Sequence, residues 1–306
     1  LAPAVRQGLL VPVGEAALRP EAAGAGSRYR FVHDRVQEAA RSLLPEGAAP
    51  VSSTDRRAPA QTFAASGFVD VSTPRALTDA EIPGLIADHR QAALNARAAG
   101  FDGIELHAAN NYLLEQFLRD SVNDRSGPYG GDLEGRTQLV VEIATAVSEA
   151  IGGGRCGIRL SPLTTFNGAL RDSQPQALTT RLIERLAPLG LGYLHLIQGE
   201  TGGARVPEDL AAPLDDQALH RTFPGRWMVN NGYDGSEAAQ VVADGAADLV
   251  AFGRPFISNP DLVRRLREGA PLNPLDPDTL YGGDARGYTD YPTLDAQTDP
   301  QPGASA

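Results

Sequence analysis

One stretch decides the fold, Gly103-IELHAANNYLLEQFLR-Asp120, in which a short apolar run ends and polar side chains follow at once. His107, Asn110 and Tyr112 stand within six residues of chain. A buried strand that ends at these residues would put two hydrogen-bond donors and a proton source at one mouth of a fold. Such an arrangement is suited to polarising a carbonyl group.

Further short apolar segments follow this one, with helical patterns between them. The predicted strands are Gly103–Leu106, Cys156–Leu160, Tyr193–Ile197, Trp227–Asn230 and Leu249–Gly253, and the predicted helices between them are 136–151, 176–189, 215–221 and 236–245. Another helix is predicted before them, starting at Thr78, where Glu81 has the capping-box spacing. Repeated strand–helix–strand units indicate parallel pairing with right-handed crossovers.

Both a doubly wound sheet and a TIM-type (β/α)8 barrel satisfy this α/β pattern. The polar residues favour the barrel, because His107, Arg159, Asn231 and Arg254 follow the C-terminal ends of different strands. Barrel enzymes place their catalytic residues at those ends. Only five of the eight strands are recognisable, so the sequence predicts an incomplete barrel.

Besides the barrel, the chain is expected to contain three further parts. Residues 1–46 read as a helical segment of foreign origin, and 47–66 as a linker rich in Pro, Ala, Ser and Asp. The barrel portion is expected at 67–292 and a disordered tail at 293–306. Since the chain opens at Leu1, we expect a fragment; since no secretory signal is visible, the expected compartment is the cytoplasm.

Composition excludes several classes of function. The net charge of −11 argues against nucleic acid or an anionic membrane as a partner, and no apolar run is long enough to span a bilayer. A single cysteine, Cys156, excludes a disulfide framework and a cysteine-rich metal site, and no other metal site is predicted. All 27 basic residues are arginine, which excludes Schiff-base lysine chemistry, a pyridoxal phosphate anchor and a P-loop.

The cluster at the end of the first strand predicts carbonyl chemistry. His107 and Asn110 could both donate to one carbonyl oxygen and stabilise the charge that grows on it. Tyr112 could deliver a proton as a general acid. The alternative is a hydrogen-bonded core histidine beside a packing tyrosine, but the spacing of the cluster favours the catalytic interpretation.

Two more groups of residues predict an anionic ligand. Arg159, inside an apolar strand, is expensive to bury without an anionic partner, for which a reduced flavin ring or an ion pair with Glu105 are the candidates. Asn231, Gly232, Gly253 and Arg254 form two successive turns that could hold a phosphate through backbone N–H groups and one guanidinium. The alternative is a pair of ordinary turns with a surface arginine. For His195 we expect core packing.

The chain resembles the Old Yellow Enzyme family of FMN-dependent ene-reductases from about Gly67 to Pro292. The matching motifs are Ser72–Leu77, Ala99–Gly103, Gln116–Asp120, Tyr129–Gly131, Gly157–Pro162, Gly253–Pro260 and Gly287–Pro292. The resemblance implies a (β/α)8 barrel with FMN at its C-terminal mouth, reduced by NAD(P)H and oxidised by an enone or enal. A homo-oligomer is compatible with it.

The resemblance also implies a role for each site residue. His107 and Asn110 resemble the carbonyl-binding pair of the family, Tyr112 its proton donor and Arg159 the arginine that faces the flavin ring. The residues that resemble its phosphate cradle are Asn231, Gly232, Gly253 and Arg254. Tyr281 resembles its aromatic residue beside the substrate.

Two features depart from the family pattern. Asn111 and Asn231 stand where glycine is usual, and asparagine is the next best residue for a left-handed backbone. The first three strands of the family are not recognisable before residue 67. A non-catalytic remnant with an impaired flavin pocket, or a signalling or scaffold module whose N-terminal helices bind a partner, are therefore the alternatives to an active enzyme.

Overall fold

The structure of the chain is a computed structural model that describes residues 10–12, 29–31, 49–64, 67–208, 213–280 and 285–298. It divides into two compact units. The first spans Ala49–Phe252, and the second combines Leu1–Ala48 with Gly253–Ala306. These bounds differ from the predicted ones at 46, 66 and 292, so each unit is described by itself.

Strands are distributed over most of the described chain. They are β1 (Leu10–Pro12), β2 (Tyr29–Phe31), β3 (Val51–Ser52), β4 (Gln61–Ala64), β5 (Gly67–Asp70), β6 (Arg75–Ala76), β7 (Ile104–Ala108), β8 (Cys156–Leu160), β9 (Tyr193–Ile197), β10 (Arg226–Asn230) and β11 (Leu249–Val250). The last five correspond to the five predicted strands. Their bounds agree with the prediction to within three residues at each end.

Helices alternate with the strands from β7 onward. They are α1 (Ile82–Ala98), α2 (Leu113–Leu118), α3 (Leu133–Ile151), α4 (Pro175–Leu186), α5 (Asp216–Thr222), α6 (Gly235–Ala243), α7 (Arg254–Ser258), α8 (Leu262–Glu268) and α9 (Leu294–Thr298). The predicted capping box before α1 is present, because the backbone N–H of Thr78 donates to Glu81 at 2.8 Å. No described helix is long and apolar enough to cross a membrane.

Strands β7 to β11 form one parallel sheet whose spatial order follows the chain order. A doubly wound sheet would reverse its strand order at a switch point. Here the order never reverses, which is the arrangement of a (β/α) barrel and confirms the predicted fold class. In the described part of the chain the sheet stays an open arc of five strands rather than a closed barrel.

The two faces of this sheet differ in polarity. Leu106, Ile158, Leu194 and Trp227 lie side by side on one face and are almost completely buried. Each such side chain contributes roughly 1.5–3 kcal/mol through burial. Because neighbouring residues of a strand point to opposite faces, the other face carries the polar residues of the same strands. The apolar face therefore builds the core and leaves the polar face for a ligand.

The helices form a continuous layer along the chain. Helix α1 packs against α3, α3 against α4, and α4 against α5. Helix α3 supplies the centre of the core with Leu139, Val140, Ile143 and Val147, which are fully buried. Asp132 caps its N-terminus by accepting a hydrogen bond from the Gly135 N–H at 2.9 Å.

Residues 49–64 are part of the fold, although a linker was expected at 47–66. Strand β3 pairs with β6 in parallel, and β4 pairs with β5 as an antiparallel hairpin. Ser52 and Ser53 are buried and donate to the side chain and the backbone carbonyl of Gln116 at 2.8 and 2.7 Å. Composition suggested a linker because small polar residues dominate here; tertiary hydrogen bonds to α2 hold them in place.

Two strands, β1 and β2, stand in the N-terminal segment where helices were expected. They pair antiparallel, with Leu10 opposite Phe31 and Pro12 opposite Tyr29. The helical prediction for 1–46 is therefore wrong for these six residues, since aromatic residues such as Tyr29 and Phe31 favour strands. The remainder of 1–46 lies outside the described residues.

A buried arginine and an asparagine organise the C-terminal part of the second unit. Arg265 is fully buried and donates to the carbonyls of Pro271 and Pro292 at 2.6 and 2.9 Å. Asn273 also donates to Pro292, at 2.8 Å. Residues 294–298, which were expected to be disordered, form α9 shortly after Pro292. The end of the expected tail lies outside the described residues.

Gly157 is predicted to be essential for the packing of the sheet. A Cβ atom at this position would lie 2.2 Å from the ring of Tyr193, whereas one at the nearby Gly154 would meet no atom within 4 Å. We expect Gly157→Ala to lower the free energy of unfolding by about 1–3 kcal/mol. Chemical denaturation measures the change, with Gly154→Ala as the matched control. Equal stability of the two variants would contradict the packing described here.

Candidate active site at the carboxyl ends of the strands

The chain leaves β7 through a left-handed turn. Asn110 and Asn111 have φ angles of 58° and 57°, which few residues other than glycine and asparagine adopt without strain. The expectation that Asn111 preserves the turn in place of glycine is confirmed. The turn ends at Tyr112, the N-cap residue of α2.

A buried carboxylate, that of Glu115, holds this turn in place. It accepts hydrogen bonds from the Asn111 N–H at 2.5 Å and from the Ser161 hydroxyl at 2.6 Å. Ser161 in turn accepts from the Asn110 N–H at 2.7 Å. Arg119 neutralises the carboxylate at 3.0 Å, and both members of this ion pair are almost fully buried. The pair therefore ties the end of β7 to the end of β8.

The side chain of Asn110 is oriented by a residue that the sequence did not reveal. The Thr201 hydroxyl, in the loop after β9, donates to Asn110 Oδ1 at 2.8 Å. With its oxygen engaged by Thr201, the amide keeps Nδ2 as the atom that can donate. The carbonyl-binding role of Asn110 stays a prediction.

His107 and Tyr112 are neighbours at the same strand end. Their ring centroids are 5.3 Å apart and the rings are tilted by 48°. Burial, together with the nearby charge of Arg159, lowers the pKa of His107 below its ordinary value. The lowered pKa favours the neutral imidazole, which donates from one ring nitrogen only. Tyr112 is 52% exposed, so the residue is open to a ligand.

Arg159 lies beside His107 on the polar face of the sheet. Its Nη2 is 3.4 Å from Asn230 Oδ1, and its buried Nε has no hydrogen-bond partner in the described part of the chain. Burial lowers the pKa of the guanidinium. The sequence left open an ion pair between Arg159 and Glu105. In the structure the Glu105 carboxylate instead contacts His195, at 3.0 Å.

His195 does not serve core packing, contrary to expectation. It lies on the polar face, opposite Arg159, and contacts Glu105 and Asn230 at 3.0 Å each. The alternation within Tyr193–Ile197 does not by itself say which face of the sheet His195 occupies. Pairing with β8, which only the structure shows, decides the face.

Asn231 and Gly232 follow β10 with positive φ angles of 126° and 72°. The Asn231 side chain is engaged, since its Nδ2 donates to the carbonyls of Gln198 and Glu200 at 2.7 and 2.8 Å. Only the backbone of this turn is therefore available to a phosphate. Asn110 and Asn231 are both anchored on the loop after β9, which carries Glu200 and Thr201.

Three predicted site residues belong to the other compact unit. Gly253 is the N-cap residue of α7, and Arg254 is its first residue; both are exposed. Tyr281 lies outside the described residues. The structure thus brings together His107 with Tyr112 and Arg159, and places Asn110, Asn231 and Gly232 at the ends of the strands of the same sheet.

Residues 37–273 match the family described as NADH:flavin oxidoreductase / NADH oxidase. The chain belongs to this family. It is 44% identical to putative 12-oxophytodienoate reductase 10 of Oryza sativa subsp. japonica over 83% of this chain and 81% of that protein. Against 12-oxophytodienoate reductase 1 of the same plant the identity is 46%, over 82% of this chain and 65% of the relative.

Solved structures of the NADH:flavin oxidoreductase family share the fold. Morphinone reductase in complex with tetrahydroNAD matches with a TM-score of 0.75 and 40% identity, over 84% of this chain and 69% of that one. The old yellow enzyme homologue from Zymomonas mobilis matches with a TM-score of 0.76 and 36% identity, over 81% of this chain and 69% of that one. These matches confirm the resemblance to the Old Yellow Enzymes and the predicted class of flavin oxidoreductase with a nicotinamide reductant.

The match begins at residue 37, whereas the resemblance was placed from about residue 67 onward. The chain nevertheless spans only about two thirds of several relatives, such as the 65% of 12-oxophytodienoate reductase 1. The roles of the individual site residues stay predictions.

The residues present fit a flavin. A buried guanidinium N–H without a partner is costly, and an acceptor on a ligand would satisfy it. The positive-φ turn at Gly232 brings backbone N–H groups to the same end of the sheet without an obstructing side chain. Arg159 would contact the ring system of FMN, and this turn would contact its phosphate.

Arg159 is predicted to influence the titration of His107. We expect Arg159→Gln to raise the pKa of His107 toward its ordinary value, because the guanidinium charge disfavours the imidazolium. NMR titration of the imidazole C–H signals measures the change. Arg155→Gln, which removes an exposed arginine just before β8, serves as the matched control. An unchanged pKa in Arg159→Gln would show that the two side chains do not interact.

Proposed function

We propose that the chain is an FMN-dependent oxidoreductase that reduces the activated C=C bonds of enones or enals with NAD(P)H. The family membership supports the cofactor and the reductant. The relatives support the substrate class, since they include an oxophytodienoate reductase, by its putative name, and a morphinone reductase. The observation that carries the proposal is the pair of donors at the end of β7.

This donor pair has the properties that carbonyl activation requires. Thr201 fixes the amide of Asn110 so that Nδ2 donates, and burial together with Arg159 favours the neutral form of His107. Two donors placed before the reaction stabilise the negative charge that develops on the carbonyl oxygen. In our proposal His107 and Asn110 bind that oxygen and thereby polarise the conjugated alkene.

Tyr112 is the proton donor in this proposal. Its ring lies beside that of His107, and about half of the residue is exposed, which supports a role next to a bound substrate. FMN, when bound, supplies the hydride and takes it from NAD(P)H. Tyr281 is proposed to border the substrate, on the strength of the resemblance alone.

Phosphate binding is assigned to Asn231, Gly232, Gly253 and Arg254. For Asn231 and Gly232 the support is a backbone turn with positive φ angles. The Arg254 guanidinium is exposed and would add a bidentate donor. Because the Asn231 side chain is engaged, we assign its contribution to the backbone N–H group.

A second candidate is a non-catalytic remnant with an impaired flavin pocket. It is favoured by one observation: the parallel sheet of the described residues has five strands and does not close. Such a remnant would keep the site residues but bind FMN poorly. A scaffold module, the third interpretation, has no supporting contact among the described residues.

Binding of FMN separates the first two candidates. We expect the purified full chain to acquire flavin absorbance that co-elutes with it on gel filtration after FMN is added. Arg254→Gln should weaken binding about tenfold, because a charge-assisted phosphate contact is lost. Arg221→Gln, which removes another exposed arginine, should leave the affinity unchanged. A chain that remains colourless with excess FMN would support the remnant instead.

Tyr112→Phe is expected to separate the two half-reactions. Loss of a general acid should slow alkene reduction by about 10²–10⁴-fold. Reduction of the flavin by NAD(P)H should remain unchanged, since it does not use this proton. Stopped-flow absorbance follows both steps, and Tyr129→Phe is the control because the Tyr129 hydroxyl bonds Glu142 elsewhere in the fold. Equal slowing of both steps would remove Tyr112 from the proton-donor role.

A further inference from the structure

A line of polar side chains crosses the sheet beside Arg159 and has no role in the chemistry described above. It consists of Glu105 on β7, His195 on β9 and Asn230 on β10. We call these three residues the polar relay. His195 is 6% exposed, and the interior of a sheet is an expensive place for such groups unless they are hydrogen-bonded.

A glycine in the intervening strand makes the polar relay possible. Glu105 and His195 are on strands separated by β8, where Gly157 is the residue opposite Glu105. The absence of a side chain at Gly157 lets the Tyr193 ring lie over it. The Glu105 carboxylate can then reach His195 Nδ1 at 3.0 Å, and the Tyr193 hydroxyl interacts with the same carboxylate.

The hydrogen-bond partners show how the polar relay reaches Arg159. Arg159 can only donate, so the Asn230 atom that faces its Nη2 is the oxygen. His195 Nε2 lies 3.0 Å from that same oxygen. His195 Nδ1 lies 3.0 Å from the Glu105 carboxylate. The ring therefore connects Glu105 to Asn230.

Glu105 is suited to hold such a ring. Although burial opposes its ionisation, the hydrogen bonds from His195 and Tyr193 and the charge of Arg159 keep the pKa of Glu105 below its ordinary value. The Glu105 carboxylate thus holds the His195 ring from one end of the polar relay. The Asn230 oxygen at the other end is then free to accept from Arg159 as well.

We propose that Glu105, His195 and Asn230 are positioning residues that orient the Arg159 guanidinium for the cofactor. Glu105 and His195 hold Asn230, whose oxygen engages Nη2, and the buried Nε–H is left as the donor that a flavin acceptor would take. This proposal rests on the proposed function, because it assigns a purpose to the orientation of Arg159. It also gives a purpose to a buried histidine whose two ring nitrogens both have a polar partner.

Substitutions in the full chain test the polar relay. Asn230→Leu removes the shared acceptor with little change in size, and Asn230→Asp keeps an acceptor in its place. His195→Gln removes the ring that connects Glu105 to Asn230, and His220→Gln is the matched control at a histidine outside the polar relay. Thermal unfolding of each variant shows whether it is folded. The signal of the Arg159 Nε–H group in a ¹H–¹⁵N NMR spectrum, assigned by its loss in Arg159→Gln, reports the orientation without any cofactor.

We expect Asn230→Leu and His195→Gln to shift the Arg159 Nε–H signal and to weaken FMN binding about tenfold, since a charge-assisted hydrogen bond becomes misdirected. Asn230→Asp and His220→Gln should keep the signal in place. If folded Asn230→Leu and His195→Gln variants bind FMN as tightly as the wild type, the polar relay has no positioning role, while the proposed function stands. Failure of the wild type itself to bind FMN would overturn the proposed function. Independently of FMN, an Arg159 Nε–H signal that does not move in Asn230→Leu and His195→Gln would overturn the positioning role of the polar relay.

Discussion

The site depends on a buried ion pair between Glu115 and Arg119. Through Ser161 and the N–H of Asn111, the carboxylate fixes a turn in which two consecutive residues are left-handed. Removing one partner of a buried pair typically costs about 3–5 kcal/mol, because the other charge is left uncompensated. A conformation that would otherwise be strained is thus held by the same charges that join the ends of β7 and β8.

The interactions around this turn form a hierarchy. The apolar face of the sheet, with Leu106, Ile158 and Leu194, determines which side chains are left for the polar face. Register then sets His107 beside Arg159, so that the guanidinium charge adds to burial in lowering the pKa of the imidazole. The loop after β9 completes the arrangement by orienting the Asn110 amide through Thr201. Packing thus decides which side chains remain on the polar face. Strand register decides which of them are neighbours, and their charges then shift the pKa of His107.

The strands and the cluster at residues 107–112 could be predicted because both are local patterns of apolar and polar residues. Contacts distant in sequence could not: Thr201 stands 91 residues from Asn110, and Asn230 stands 71 from Arg159. His195 was misjudged because alternation does not say which face meets the helices. Residues 49–64 were taken for a linker because contacts that hold them in place are distant in sequence: Ser52 and Ser53 bond to Gln116, 64 and 63 residues away.

The polarity of the sheet also bears on how such a protein can diversify. Substitutions at Ile158 or Leu194 would disturb the core, whereas those at neighbouring positions, such as Arg159 and His195, alter groups that face away from it. Selection for a new substrate can therefore act on every second residue of each strand while the alternate residues preserve stability. Because successive side chains of a strand point to opposite faces, substitutions that change the ligand-facing groups fall at different positions from substitutions that change the core.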